Sequence, residues 1–212
     1  MRAALVLGFV SLAVIGCKDP GAKVTPATVE TAAETKAEPT PTGAESIPGA
    51  TVLVIDPSNS KIEFVGAKVT RSHEGGFTDF AGRVELAEPV ESSQIDITIQ
   101  TASLYADEDK LTKHLKSPDF FDVAKFPTAT FRSTEIEKDG DSHMVTGDLT
   151  LHGVTKRVSF PATIKVTDGA VNANAEFSIN RHDFGISYPG MKDDLIRDLV
   201  VIKLGVDLPR RS

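Results

Sequence analysis

The chain contains no tryptophan and only one cysteine, Cys17, and aromatic residues make up just 6% of it. A single cysteine excludes an intramolecular disulfide. A formal net charge of -7 over 212 residues means no excess of basic residues, which argues against a nucleic-acid partner. A hydrophobic content of 40% is nevertheless sufficient for a core, and the length predicts one domain with appendages.

The sequence also lacks the common signatures of an enzyme. It has no serine in a nucleophile elbow, no glycine-rich phosphate loop and no catalytic cysteine. Its histidines are scattered, without the paired spacing of helical or finger-type metal sites. We therefore predict neither catalysis nor a bound metal. The histidines are His73, His114, His143, His152 and His182.

The N-terminus is typical of a short export signal. Met1 and Arg2 form a minimal positively charged region, and residues 3–16 are apolar or small, a run too short to span a membrane. The run that ends at Cys17 resembles a bacterial lipobox, at which the cysteine becomes the diacylated first residue. The alternative is an ordinary signal peptide with an incidental cysteine. We predict a signal peptide over 1–16 and a lipid anchor at Cys17, which would hold the protein on a membrane of the bacterial cell envelope, facing the periplasm.

Residues 17–50 comprise this anchor and a segment rich in threonine, alanine, glutamate and proline. The only sizeable apolar residues of the segment are Val24, Val29 and Ile47. Such a segment cannot offset its ordering entropy, so we expect a disordered tether that reaches roughly 30 Å as a flexible coil. The folded domain is then expected over 51–212.

The clearest β-structure is a hairpin over residues 156–180. Apolar residues occupy even positions up to Val166 and odd positions from Val171 onward. Between them, Asp168-Gly169 forms a two-residue hairpin turn. Pairing across this turn sets Val166 opposite Val171 and places every apolar side chain on one face. Pro161 cannot donate to a ladder, so a local break is expected there.

Alternation elsewhere predicts six more strands, and together the eight favour an all-β, antiparallel, lipocalin-like barrel, of the size that holds one small ligand. A helical period predicts one short helix over about 107–117. The loop after it is unusually apolar, and we expect Phe120, Phe121 and Phe126 to lie against one end of the domain. The additional strands are expected in 62–69, 77–88, 95–100, 128–137, 145–151 and 197–208.

Alternation alone does not show which face of the barrel is inside. In a membrane-spanning barrel the apolar face would meet lipid. Charged residues such as Arg83, Glu85 and Lys165 would then crowd a narrow lumen, and a lipid anchor would be redundant, so we place the apolar face inward. The small inward residues Gly82 and Gly147 are compatible both with a cavity and with ordinary interdigitation.

Three motifs resemble the YceI-like family of bacterial periplasmic proteins. They are HLKSPDFFD at 114–122 with KFP at 125–127, GDLTLHGVT at 147–155, and FSINRHDFG at 177–185. The resemblance covers about residues 51–208. It implies an extended lipocalin-like barrel whose tunnel binds a long isoprenoid, a quinone or a fatty chain, and hence a non-enzymatic lipid carrier of the cell envelope with no cofactor beyond such a lipid. The lipobox and tether are then a variation on the simple secreted form.

The inward strand positions would line this tunnel. His114, His152 and Arg181 lie in the family-like motifs and are candidates for a polar head group at the barrel mouth, although fixing loops by hydrogen bonds is the more common role. A structural or stress-related envelope protein with a solid core, or an enzyme acting on a bound lipid or quinone, stays open, as does a homodimer. The candidate lining residues are Phe80, Val84, Leu86, Ile97, Ile99, Phe131, Leu149, Leu151, Phe160, Ala162, Ile164, Ala175, Phe177, Ile179, Val200, Ile202 and Leu204.

Overall fold

The computed structural model describes residues 19–32 and 46–210. The predicted signal peptide, Cys17 and part of the predicted tether lie outside these residues. The short 3-10 helices are Gly21–Lys23, Val90–Ser92, Thr101–Ser103 and Arg181–Phe184, and the α-helix α1 is Asp109–Leu115. The strands are β1 Thr28–Thr31, β2 Thr51–Ile55, β3 Ser60–Ala67, β4 Ser72–Phe77, β5 Phe80–Leu86, β6 Gln94–Gln100, β7 Leu104–Ala106, β8 Thr128–Asp139, β9 Ser142–Leu151, β10 Val154–Val166, β11 Ala170–Asn180, β12 Gly190–Met191, β13 Asp194–Leu195 and β14 Leu199–Pro209.

The main sheet is antiparallel and curls until its pairing path returns to its start. β4 runs on into β5 and β6 runs on into β7, and β4 pairs with β7 while β5 pairs with β6. The path continues from β6 through β8, β9, β10, β11, β14 and β3 back to β4. Eight chain segments therefore surround the interior, as predicted. The strand count is higher because short bends divide two of these segments and because β1, β2 and the β12–β13 hairpin are additions.

The β10–β11 hairpin has the predicted register near its turn. Val166 lies opposite Val171, and the ladder between the two strands ends at Thr163 and Asn174. Pro161, which has no N–H to donate, lies just beyond this point. The two strands separate there, and the predicted break is confirmed.

The opening between β10 and β11 is occupied by the N-terminal segment. β1 pairs along its whole length with β10. On the other side, the Ala27 N–H donates to the Ser178 carbonyl at 2.8 Å, and the Ser178 N–H donates to the Thr25 carbonyl at 3.1 Å. Ala27 and Val29 pack against the interior side chains. The predicted disordered tether is therefore wrong for residues 19–32, while residues 33–45 lie outside the described chain.

One end of the barrel, which we call the capped end, is covered by α1, the loop over 116–127 and the segment over 185–196. Leu115, Phe120 and Ile186 form a buried cluster there. The predicted helix is confirmed, and Phe120 is only 6% exposed, as expected for a ring held against the end of the domain. The opposite end carries the β2–β3, β8–β9 and β10–β11 turns. No helix within residues 19–32 and 46–210 is long and apolar enough to cross a membrane.

Candidate functional site

The inward side chains of the sheet leave a cavity of about 270 Å³. Its wall extends from Val90 and Ile136, near the opposite end, to Phe120 and Ile196 at the capped end. The surface that faces the cavity is apolar. For scale, an engineered apolar cavity of roughly 150 Å³ stays dry and binds benzene. A chamber of this size and chemistry suits an apolar ligand better than water.

All predicted lining residues except Phe80 lie in this wall. Phe80 shares the inward parity of Val84, but it is enclosed in a buried cluster with Leu53 and Leu208. The lining role predicted for Phe80 is therefore wrong, because strand parity identifies the inward face without showing which inward side chains are covered by others.

Several wall residues were missed by the sequence analysis. Ile95 and Val145 share the parity of predicted neighbours in the same strands, so alternation was a sufficient signal for them. Ile136 has the opposite parity to Phe131 in β8, because the register shifts between Ser133 and Glu135. A bulge of this kind returns an even-numbered residue to the inner face.

The space beside the two inward glycines is filled. A Cβ atom at Gly147 would lie 2.5 Å from Phe131 Cζ and 2.5 Å from the Arg132 carbonyl oxygen. A Cβ atom at Gly82 would lie 3.1 Å from Ile97 Cγ1. Neighbouring side chains therefore lie over both glycines, and here the interdigitating alternative is correct.

The part of the wall where β10 and β11 separate carries small side chains instead. The small side chains of Ala162 and Ala175 belong to the cavity wall in this region. Phe160 and Phe177 span the same separation, with stacked rings whose centroids are 4.2 Å apart and whose planes differ by 11°. Phe131 packs on Phe160 at a centroid distance of 5.7 Å. These rings give the middle of the cavity a continuous aromatic wall.

Aromatic residues also close the capped end. Phe121 meets Phe77 edge-on at 5.9 Å, and Phe120 packs against Tyr188 at 5.3 Å. Phe120 and Phe121 both belong to the cavity wall. Phe126, the third ring of the predicted apolar loop, lies 4.4 Å from His152 instead. The end of the cavity is thus formed by a loop and a short helix and not by the sheet.

The two candidate head-group histidines lie at the capped end but outside the cavity wall. His114 Nε2 lies 2.9 Å from Asp119 Oδ2, and the His114 ring meets Phe120 and Tyr188 edge-on. His152 Nδ1 lies 3.2 Å from the Phe184 carbonyl oxygen. His114 therefore joins α1 to the loop that follows it, and His152 joins the β9–β10 turn to the 3-10 helix Arg181–Phe184. Both contacts are of the loop-fixing kind.

Arg181 is different, because it is 5% exposed and belongs to the cavity wall. Its guanidinium donates to the carbonyls of Ile186 at 2.8 Å and Arg197 at 3.1 Å, with Asp198 at 3.5 Å. Burial lowers the pKa of Arg181, and the nearby Asp198 carboxylate opposes this shift. The guanidinium thus joins the segments that follow β11 and precede β14, and it places one cation beside the cap.

Residues 19–32 and 46–210 contain no group of three or more histidine, cysteine or acidic side chains that could hold a metal ion. Among the described residues, one contact between titratable side chains lies beside α1, outside the cavity wall. His73 Nδ1 lies 2.9 Å from Asp107 Oδ1. Desolvation raises the pKa of Asp107, but hydrogen bonding and charge from His73, together with Glu74 and Arg71, lower it overall.

Comparison with known proteins gives consistent matches. A family model described as a YceI-like domain matches residues 53–208. A UPF0312 protein of Pseudomonas putida is 45% identical over 125 residues, which cover 55% of this chain and 65% of that protein. A UPF0312 protein of Pseudomonas fluorescens is 42% identical over 141 residues, covering 62% and 72%. The chain thus spans just under two thirds of the length of the Pseudomonas putida relative.

Solved structures match over most of the described chain. BcnA of Burkholderia cenocepacia superposes with a TM-score of 0.65 at 25% identity, covering 72% of this chain and 98% of that one. A domain of Saccharophagus degradans, described as polyisoprenoid-binding, superposes with a TM-score of 0.61, covering 76% and 99%. At 14% identity, this second likeness supports the fold alone.

Proposed function

Because this chain belongs to the YceI-like domain family, we propose that it binds one long-chain apolar lipid inside its barrel and carries it, without catalysis, in the bacterial cell envelope. The ligand class is an isoprenoid, a quinone or a fatty-chain derivative. The observation that supports this most strongly is the apolar cavity that extends between the two ends of the barrel.

The wall chemistry favours recognition by chain length. Each methylene group that leaves water for the cavity contributes about 0.8 kcal/mol, so affinity rises with the number of carbons buried. A polar head group would find no partner along the middle of the wall, where the stack of Phe160 and Phe177 lies. It would have to stay at an end, and Arg181 is the charged wall residue near the cap.

The non-enzymatic role is supported by the side chains around the cavity. Among the described residues that form its wall, Arg181 is the single charged one, and its N–H groups are engaged by backbone carbonyls. General acid–base chemistry on a bound lipid would need a titratable group within hydrogen-bond reach of the reacting atoms. No acidic or histidine side chain of the described chain belongs to that wall.

The envelope setting is supported by the N-terminal sequence. Residues 1–16 have the pattern of an export signal, and Cys17 stands where a lipobox requires it. A diacylated cysteine supplies two chains, which is enough for stable anchoring, whereas one chain alone binds a membrane marginally. The protein would then load and release its ligand beside a membrane.

Lipid transfer between vesicles tests the proposal. The chain from Lys18 onward, exported behind a signal without a lipobox, is mixed with donor vesicles that hold a radiolabelled polyprenol and with unlabelled acceptor vesicles. We expect faster transfer with the protein than without it, and a reduced rate for Ala175→Leu, which narrows the cavity. Ala81→Leu, whose side chain is exposed on β5, serves as the matched control and should act like the wild type. Equal transfer with and without protein, for polyprenols and quinones alike, would reject carriage.

A further inference from the structure

The N-terminal segment enters the barrel wall at the capped end. Gly21 is buried against β14, and a Cβ atom there would lie 2.4 Å from Leu199 Cβ. Four and six residues further along the chain, Thr25 and Ala27 form backbone hydrogen bonds with Ser178, which hold the segment between β10 and β11. Leu199 is the first residue of β14 and lies opposite Asn180, the last residue of β11. The described part of the N-terminal segment therefore begins at this end of the barrel.

This position limits where a lipid anchor can be. Cys17 precedes Asp19 by two residues. Two residues of fully extended chain span at most about 7 Å. An acylated Cys17 would thus keep the capped end close to the membrane surface, whereas a disordered tether over 17–50 would have held the whole domain away from it.

Three exposed aliphatic side chains project at the same end. We call them the apolar tip: Val69 after β3, Met191 in β12 and Leu195 in β13, with exposed fractions of 44%, 74% and 50%. The Val69 N–H donates to the Leu195 carbonyl at 3.1 Å, and Met191 pairs with Asp194 in the β12–β13 hairpin, so the three belong to one structural unit. The next residue, Ile196, packs inward with the cap cluster and lines the cavity.

The charges around the apolar tip are balanced. Lys68 Nζ pairs with Asp194 at 2.5 Å, and Lys192 stands next to Asp193 in the connection between β12 and β13. A strongly cationic patch would favour anionic lipids through long-range attraction. Here the apolar side chains would supply the membrane contact, because they can be buried at the interface of a bilayer whatever its charge.

We propose that the capped end docks on the membrane, with Val69, Met191 and Leu195 inserted at the bilayer surface next to the acylated Cys17. The inference rests on the lipid anchor of the proposed function and specifies which surface faces the membrane. The cap of Phe120, Ile186 and Ile196 then lies between the bilayer and the cavity. In this orientation the cap is the part of the barrel wall that separates the cavity from the bilayer.

A second exposed aliphatic pair provides the rival orientation. Val52 and Val54 lie on the outer face of β2, with exposed fractions of 57% and 61%. The Asn59 side chain donates to the Val54 carbonyl, and the Asn59 carbonyl accepts from the Asp207 N–H. Asp207 is eight strand residues from Leu199, about 26 Å along β14. This pair therefore lies toward the opposite end, and both orientations cannot hold for one anchored molecule.

The absence of tryptophan allows a direct test by single-tryptophan fluorescence. Met191→Trp and Leu195→Trp report on the apolar tip, and Val54→Trp is the matched control with a similarly exposed aliphatic residue. The full acylated chain is reconstituted into phosphatidylcholine vesicles, with or without bromine on the lipid acyl chains. We expect blue-shifted emission and loss of intensity in brominated vesicles for both tip reporters, and unchanged emission for Val54→Trp.

Other outcomes distinguish a wrong docking orientation from a wrong assignment of the lipid anchor. If the chain floats with vesicles but the tip reporters are not quenched, or if Val54→Trp is quenched more strongly, the docking orientation is wrong and the anchor stands. If the N-terminal peptide carries no acyl mass and the chain does not float, the anchor is wrong and docking falls with it. The polyprenol transfer assay of the anchor-free chain is unaffected by either result.

Discussion

Replacing Ala175 with leucine tests whether the barrel interior is empty. Ala175 lies in the cavity wall on β11 and is only partly covered by its neighbours. If the space before it is a void, the added carbons are buried at about 0.8 kcal/mol each, less about 0.5–1 kcal/mol for the fixed leucine rotamer. The free energy of unfolding of the ligand-free protein should then rise by about 1–2 kcal/mol. In a solid core the same change would overpack and lower it by about 1–3 kcal/mol.

Urea unfolding of the delipidated protein measures whether Ala175→Leu raises or lowers the free energy of unfolding. Ala81→Leu on the outer face of β5 should change stability by less than about 0.5 kcal/mol. The affinity for a polyprenol should fall, because the leucine occupies the space of about three methylene groups of the ligand. Their loss costs about 2.4 kcal/mol, which raises the Kd about 50-fold. An Ala175→Leu protein that is destabilised and binds a polyprenol as the wild type does would refute the cavity.

Three further changes probe the wall, the seam and the tip. Gly147→Ala should lower the free energy of unfolding by about 1–3 kcal/mol, since its Cβ would meet Phe131; an unchanged urea midpoint would contradict this packing. Val29→Ser should speed amide exchange in β1 while the other barrel amides stay protected, and it should lower the free energy of unfolding by about 1 kcal/mol or less. Equal exchange of the β1 amides in Val29→Ser and in the wild type would show that this side chain does not hold the segment. The hydrogen bond from Lys68 lowers the pKa of Asp194 below its ordinary 3.8. The stabilisation it gives the β12–β13 hairpin is thus complete above about pH 3.8 and lost as pH falls through the lowered pKa. The protection factors of the hairpin amides, which already allow for the intrinsic pH dependence of exchange, should fall in acid, and Asp194→Asn should remove that dependence.

Local pattern was sufficient for most of the fold. The hairpin around Asp168-Gly169 was predictable because turn type and alternation specify one register, and Val166 lies opposite Val171 as expected. The eight principal strands and α1 follow from the same alternation and from the change to a helical period. The family resemblance rested on short motifs that lie in the cap and in β9 and β11.

The N-terminal segment could not be predicted in this way. Residues 28–31 are TVET, four residues in a proline- and threonine-rich context with no amphipathic pattern of their own. They are ordered because β10 and β11 separate near Pro161 and leave unpaired backbone groups for β1 to satisfy. The unpaired backbone groups lie in strands more than a hundred residues further along the sequence, so the composition of the segment alone wrongly predicted disorder.

The cavity wall was predictable in outline and not in detail. Parity identified the inward face, but it could not show that Phe80 is covered or that the shift after Ser133 turns Ile136 inward. It also could not decide between empty and filled space, because volume depends on how facing side chains meet. Phe131 fills the space beside Gly147, whereas the space before Ala175 stays open.

Native mass spectrometry tests lipid carriage most directly. The chain from Lys18 onward, which keeps the ordered segment 19–32 in the barrel wall, is exported in a bacterial envelope behind a signal without a lipobox and purified without detergent. We expect a discrete added mass at one lipid per chain, whose fragments identify the chain and the head group, and a reduced occupancy in Ala175→Leu. A chain that stays at its ligand-free mass, even after polyprenols and quinones are supplied, would show that the barrel is not a lipid carrier.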